Sequence, residues 1–444
     1  MMPRLFRPGF LHAAVASGVA LASHPVAAQA PTDRVERAIV RAVDAGNLGG
    51  LALLRQLVNI NSGTMNFPGV QAVGAVLRAQ FDSLGFKTRW IDGTPFHRAG
   101  HLVAEHPGQG PGLLLIGHLD TVFEPDHPFQ QWQQLDDSTA KGPGAIDMKG
   151  GDVIIVQALK ALRTAGQLDR MNITVVMTGD EESSGDPLPL ARAALIDAAR
   201  LADIAIGFED GAGDPKTAVV ARRGASSWVL RTTGTPAHSS QVFKPSVGYG
   251  AIYEASRILN AFREQLSGEP LLTFNPGVAL GGTTVTFDAE NDRGTGFGKT
   301  NVVAGEMTVR GDLRTITPEQ LTRAQAAMTA IVAGHLPGTS ATITFEDGYP
   351  PLAPTEGNHR LLGRYDQVSR DLGFGPVVAV DPGLAGAADV SFTAGHVTMA
   401  IDGLGLSGRD GHTDQETADL RMLPLVTKRA AVLLYRLSRQ TLQP

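Results

Sequence analysis

Leu113-Leu114-Leu115-Ile116-Gly117-His118-Leu119-Asp120 is the stretch on which the fold class turns. Four aliphatic residues in a row, ending in a glycine and polar residues, read as a short strand, and such strands alternate with helices along the chain, which indicates an α/β layer with a mainly parallel sheet. The polar residues that follow lie at its carboxyl end, where open α/β sheets gather ligands. Three more apolar runs finish in the same way. Val175-Val176-Met177 leads into Thr178-Gly179-Asp180-Glu181-Glu182, and Ile204-Ala205-Ile206 leads into Gly207-Phe208-Glu209-Asp210. Val397-Thr398-Met399-Ala400-Ile401 leads through a glycine-rich loop to Gly411-His412-Thr413-Asp414. Gly144-Ala145-Ile146-Asp147-Met148-Lys149-Gly150-Gly151 adds a turn that opens a helix.

Each fragment alone has an ordinary explanation. A single histidine after a strand is usually just hydrogen-bonded, and adjacent glutamates usually form a solvated turn. Together, two histidines and several carboxylates are suitable donors for Zn²⁺ or Co²⁺. Asp147 has the two oxygens needed to bridge two metals, and Asp120 is placed to hold the far nitrogen of His118 and fix its tautomer.

Around these motifs, helical apolar spacing covers 33–61, 69–84 and 151–165, with strands at 112–116, 173–177, 204–208 and 396–401 and a final helix from Leu423. The expected fold is therefore α/β, a mainly parallel sheet flanked by helices. From about Val219 the texture changes. Strand-like alternation at 226–231 and 306–313, with helices at 248–265 and 318–333, predicts a small α+β unit inserted into the larger one. The expected division is 31–218 with 340–444 for the metal-binding domain and 219–339 for the insertion.

The chain has 444 residues, 43% apolar and 18% charged, which suits a packed core rather than disorder. A net charge of −6 argues against a nucleic-acid partner. The absence of cysteine excludes disulfides, thiolate metal sites and cysteine nucleophiles. Arg4 and Arg7 precede an apolar stretch from Phe10 to Ala22 that is too short to span a bilayer, and Ala28-x-Ala30 suits signal peptidase. Residues 1–30 are read as a cleaved export signal, leaving a periplasmic or secreted chain with no membrane anchor.

In this combination the motifs resemble the zinc metallopeptidase family that includes aminoacylases, acetylornithine deacetylase, succinyl-diaminopimelate desuccinylase and glutamate carboxypeptidase. The glutamate carboxypeptidase branch is the most similar. The resemblance covers nearly the whole mature chain. It implies two divalent metal ions per subunit, Zn²⁺ with Co²⁺ as the alternative, held by His118, Asp147, Glu182, Glu209 and His412. Asp147 would be the bridge, and Asp210 is the rival of Glu209. Asp120 would orient His118. Glu181 would be the general base, taking a proton from the attacking water and passing it to the leaving amine.

In the insertion, a lid and dimerisation domain by resemblance, Gly234-Thr235-Pro236-Ala237-His238-Ser239-Ser240 carries the counterpart of the family's lid histidine. The resemblance implies that His238 reaches the active site of the partner subunit in a homodimer and stabilises the oxyanion. Asn301 and Arg314 would bind substrate, Arg314 by a bidentate grip on a free carboxylate. Arg310 is the rival, and a plain ion pair between Arg314 and Asp312 is the alternative.

The expected activity is a carboxypeptidase-like hydrolysis of an amide bond beside a free carboxylate, in a small peptide or N-acyl amino acid. A deacylase or dipeptidase would share every metal ligand. A non-catalytic binding protein on the same scaffold would be expected to lack Glu181 or several ligands, and all are present. Gly403-Leu404-Gly405-Leu406-Ser407-Gly408 matches a dinucleotide fingerprint by letter only, since Arg409-Asp410-Gly411-His412 follows instead of a helix. Ala385-Gly386-Ala387-Ala388-Asp389 departs from the glycine run usual in the family, which bears on the shape of the pocket.

Overall fold

The computed structural model describes residues 33–288 and 293–440; the expected export signal lies outside them. A six-stranded sheet forms the larger unit, with Lys87–Asp92, Gly100–His106, Met171–Thr178, Gln109–His118, Ile204–Gly207 and Met399–Ile401 in spatial order. The last four run parallel to one another, and Gly100–His106 joins them antiparallel. The chain leaves Gln109–His118 for the neighbour on one side, then crosses to the neighbour on the other. The carboxyl end of this strand is therefore a topological switch point.

From Pro111 onward the strand Gln109–His118 is buried on both faces. Leu113 and Leu115 enter the core shared with helices Arg34–Val58, Lys149–Thr164 and Met422–Ser438. Leu114 and Ile116 meet Leu195, Ala198 and Ala199 of helix Ala193–Arg200 on the opposite face. Each of the four strand side chains contributes about 1.5–3 kcal/mol on burial. A slip of one residue would swap the two faces and move His118 off the strand end, so apolar packing fixes the register of the site.

Helix Lys149–Thr164 begins two residues after Asp147, with Met148 at its N-cap. It lies hard against the next strand end, because a Cβ at Gly151 would come within 2.0 Å of the Phe208 carbonyl oxygen. Glycine there lets the Asp147 turn and Glu209 converge.

The smaller unit is an antiparallel sheet ordered Thr273–Gly282, Glu306–Thr315, Gly224–Gly234 and Thr339–Tyr349. Helices Ala251–Leu266 and Pro318–Ala333 pack on it around Trp228, Ile258, Phe262, Val309 and Met328. Thr339–Tyr349 pairs along the length of Gly224–Gly234, so the insertion extends past the expected boundary at 339 and ends near Tyr349. The alternating strand that begins at that boundary belongs with its hydrogen-bonded neighbour, which sequence spacing did not reveal. The chain enters and leaves this unit side by side, through a two-way bridge between Arg222 and Leu352, each N–H donating to the other's carbonyl at 3.0 Å. Among the described residues no helix is long and apolar enough to cross a membrane.

Candidate metal centre

His118, almost fully buried, ends the central strand. Its Nδ1 lies 3.1 Å from the Asp120 carbonyl oxygen and 3.4 Å from an Asp120 carboxylate oxygen. The backbone carbonyl is thus the nearer of the two groups that fix the ring. Nε2 faces Asp147 Oδ1 at 3.1 Å and Glu209 Oε1 at 3.6 Å. The other Asp147 oxygen, Oδ2, lies 2.8 Å from His412 Nε2, which is also 3.2 Å from Glu182 Oε2.

The donors therefore fall into two groups, His118–Asp147–Glu209 and Asp147–Glu182–His412, with Asp147 common to both. Within each group the donor atoms lie within 4.8 Å of one another. Glu209, not Asp210, faces this centre; the Asp210 carboxylate accepts from Ala212 N–H in the following turn.

The electrostatics describe a pocket short of positive charge. Burial alone would push His118 down, yet Glu209, Asp120 and Asp147 raise it well above its ordinary range. Hydrogen bonding to Asp147 and Glu182 takes His412 up to about 11. Asp147 is held far below the usual carboxylate range by the two histidines, against the effect of its own burial. Burial and the charge of Asp147 raise both Glu182 and Glu209. Protons are thus drawn onto imidazoles that would be neutral as metal ligands. Glu182 Oε1 is buried without a hydrogen-bond partner, an arrangement that a cation would satisfy. The donor set of two imidazoles and three carboxylates, one of them shared, fits two divalent cations.

Glu181 stands beside this centre with its backbone tied on both sides. Its N–H donates to Asp120 Oδ1 at 3.1 Å, and its carbonyl accepts from the Tyr349 hydroxyl at 2.9 Å. Its carboxylate makes no hydrogen bond among the described residues. Burial, then the charges of Asp389, Glu182 and Asp147, push it well above the ordinary carboxylate range, with His118 opposing.

Several supporting residues escaped the sequence reading. Glu416 accepts from the backbone N–H groups of Gly144, Ile146 and Asp147, which holds the bridging aspartate's turn. Asp402 accepts from Glu209 N–H at 3.3 Å and from Arg222 Nε at 2.8 Å, fixing the Glu209 strand end. Asp402 follows a strand end at Ile401, a signal of the same kind as the others, whereas nothing local marks Glu416.

The residues expected to bind substrate lie apart from the metal cluster. His238 and Asn301 are neighbours in the smaller unit, where Ser239 N–H donates to the Asn301 carbonyl at 2.9 Å. The exposed His238 ring meets Ser240 Oγ at 2.9 Å and makes no contact with the five donors of its own chain. Arg314 pairs with Asp312 at 3.0 Å, the alternative foreseen for it, and Arg310 stacks over the Phe287 ring.

Residues 114–436 match the sequence profile described as Peptidase family M20/M25/M40. Carboxypeptidase G2 of Pseudomonas sp. (strain RS-16) is 26% identical over 432 residues, covering 96% of this chain and 98% of that protein. Succinyl-diaminopimelate desuccinylase of Acidiphilium cryptum (strain JF-5) is 27% identical over 400 residues, covering 87% of this chain and 98% of that protein. Among solved structures, the YXEP protein of Bacillus subtilis, described as a dinuclear metal-binding peptidase, superposes with a TM-score of 0.62 at 14% identity. That superposition covers 90% of this chain and 100% of the other, and it speaks to the fold.

Proposed function

Because the chain belongs to peptidase family M20/M25/M40 and is a metal-dependent hydrolase of that family, we propose that it is a carboxypeptidase. It cleaves the amide bond beside a free carboxylate in small peptides or N-acyl amino acids, using two Zn²⁺ ions. The observation that carries this reading is the shared Asp147 carboxylate, whose two oxygens face two different histidines at 3.1 and 2.8 Å.

Two divalent cations held by His118, Asp147, Glu182, Glu209 and His412 would supply the positive charge that acidifies a water and polarises the scissile carbonyl. The chain's own contribution is to hold these donors and to move the proton. The unpaired Glu181 carboxylate takes a proton from the attacking water and returns it to the leaving nitrogen. The likeness to carboxypeptidase G2 over nearly the full length of both chains supports this activity over others in the family.

The test is release of free amino acid from a panel of N-acyl amino acids and dipeptides by the mature, Zn²⁺-loaded chain. Zinc-dependent release confined to panel members with a free α-carboxylate is expected. A preference for substrates whose carboxylate is amidated would overturn the reading, as would inactivity on the whole panel with two metals bound.

We also propose export of residues 31–444 after cleavage of the signal, and assembly as a homodimer in which His238 serves the partner's site. The exposure of His238 and its separation from its own cluster support that reading. His238→Ala should then lower kcat by about 10²–10³-fold, the usual cost of an oxyanion donor, with the thermal midpoint unchanged. Sedimentation should show a dimer; full activity in a chain that sediments as a monomer would exclude the role.

A further inference from the structure

The hydroxyl of Tyr349 reaches Glu181 from the inserted unit. Tyr349 closes the last strand of that unit, three residues before the bridge at Leu352 where the chain re-enters the larger one. The ladder with Gly224–Gly234 breaks register between Glu346 and Tyr349, and an irregularity of this kind re-aims a side chain at a strand end. The ring packs edge-on against Phe392 at 5.0 Å, on the larger unit.

From there the hydroxyl donates to the Glu181 carbonyl at 2.9 Å and accepts from Arg192 at 2.6 Å and from Ser184 Oγ at 3.3 Å. Arg192 is completely buried and held between Asp180 at 2.6 Å and Asp389 at 2.9 Å. Asp389 in turn accepts from Thr178 Oγ1 at 2.5 Å, on the strand that delivers Glu181. The phenol is thus fixed by a buried ionic frame, and of the two acceptors for its single proton the nearer is the carbonyl of the residue that carries the free carboxylate, at 2.9 Å against 3.3 Å for Asp389 Oδ1.

We propose that Tyr349 is a positioning residue for Glu181, through which the seat of the inserted unit on the larger one sets the orientation of the base. Asp120 pins the Glu181 N–H from the metal side, and Tyr349 pins its carbonyl from the lid side. With both ends of the residue held, the side chain leaves the turn in one direction while its neighbour Glu182 faces His412. Loss of the Tyr349 bond frees one of the two anchors and leaves every metal donor in place.

This inference rests on the role of Glu181 as base. Its test is Tyr349→Phe in the metal-loaded, full-length mature chain. The phenyl ring keeps its packing on Phe392, and Arg192 keeps both aspartates, so the variant should fold with two metals bound. Two readouts apply. Amide exchange of the segment around Gly179–Gly185 should accelerate relative to wild type, with the rest of the chain unaltered. kcat should fall by about 10- to 100-fold, the cost of a misplaced reacting group, at unchanged KM.

Wild-type exchange rates in that segment would overturn the proposal. So would faster exchange with an unaltered kcat, or a fall in kcat that tracks lost metal or raised KM. If the wild-type chain hydrolyses no panel substrate, the carboxypeptidase reading fails on its own, while the exchange experiment still decides whether Tyr349 anchors Glu181.

Discussion

Replacing Glu181 with alanine is expected to lower kcat by about 10²–10⁴-fold, the usual contribution of a general acid–base group, with metal content unchanged from wild type. The separation of effects follows from the geometry. Glu181 belongs to neither donor group, and its carboxylate makes no hydrogen bond that the substitution would orphan. Its backbone bonds to Asp120 and Tyr349 survive a change of side chain. Metal titration and steady-state kinetics on the same preparation check both halves. An active Glu181→Ala variant would remove Glu181 from the mechanism, and a metal-depleted one would make it a ligand.

Replacing Asp147 with alanine should remove both activity and the stabilisation that metal confers on the fold. This is the only donor common to both groups, so its loss costs each of them a carboxylate oxygen. The fall in affinity should exceed the 10–100-fold penalty of losing an outer supporting hydrogen bond. In wild type, metal at about a thousand times its Kd should add about 4 kcal/mol per site to the folded state. A scan of thermal midpoint against Zn²⁺ should rise for wild type and stay flat for the variant over the same range. Two metals retained at wild-type affinity by Asp147→Ala would exclude a bridging role.

The donors were legible because each is announced locally. His118 and Glu209 come within three residues of the end of an aliphatic run, Glu182 follows the end of strand Met171–Thr178 through a short acidic turn, and Asp147 opens a helix through a glycine-rich turn. Their convergence needed only the rule that parallel strands end on one edge. The frame behind them was not legible, because it depends on pairs far apart in the chain. Arg192 meets Asp389, and Glu416 meets the turn at 144–147, with no motif linking either pair.

Strands were lost for a different reason. Thr273–Gly282 carries Pro276 and three glycines, which break alternation, and it sits at a sheet edge where both residue types are tolerated. Helix Glu356–Asp371 turns only a narrow stripe inward, Leu361, Tyr365 and Val368, within an otherwise polar sequence. Its apolar period was too sparse to stand out.

The two ends of the described chain close on each other. Arg436 of the final helix binds Glu36 of the first at 2.7 Å, and Met399–Ile401 supplies the last strand of the larger sheet. The main core is thus divided between segments separated by the whole inserted unit, and its contacts are of high sequence separation. Such topologies fold slowly, because long loops must close before their contacts stabilise the chain. The inserted unit, by contrast, has a core of its own around Trp228 and Phe262, built from its own residues. The larger core is completed by helix Met422–Ser438, so the strand ends that carry the metal donors are braced by segments from both sides of the inserted unit.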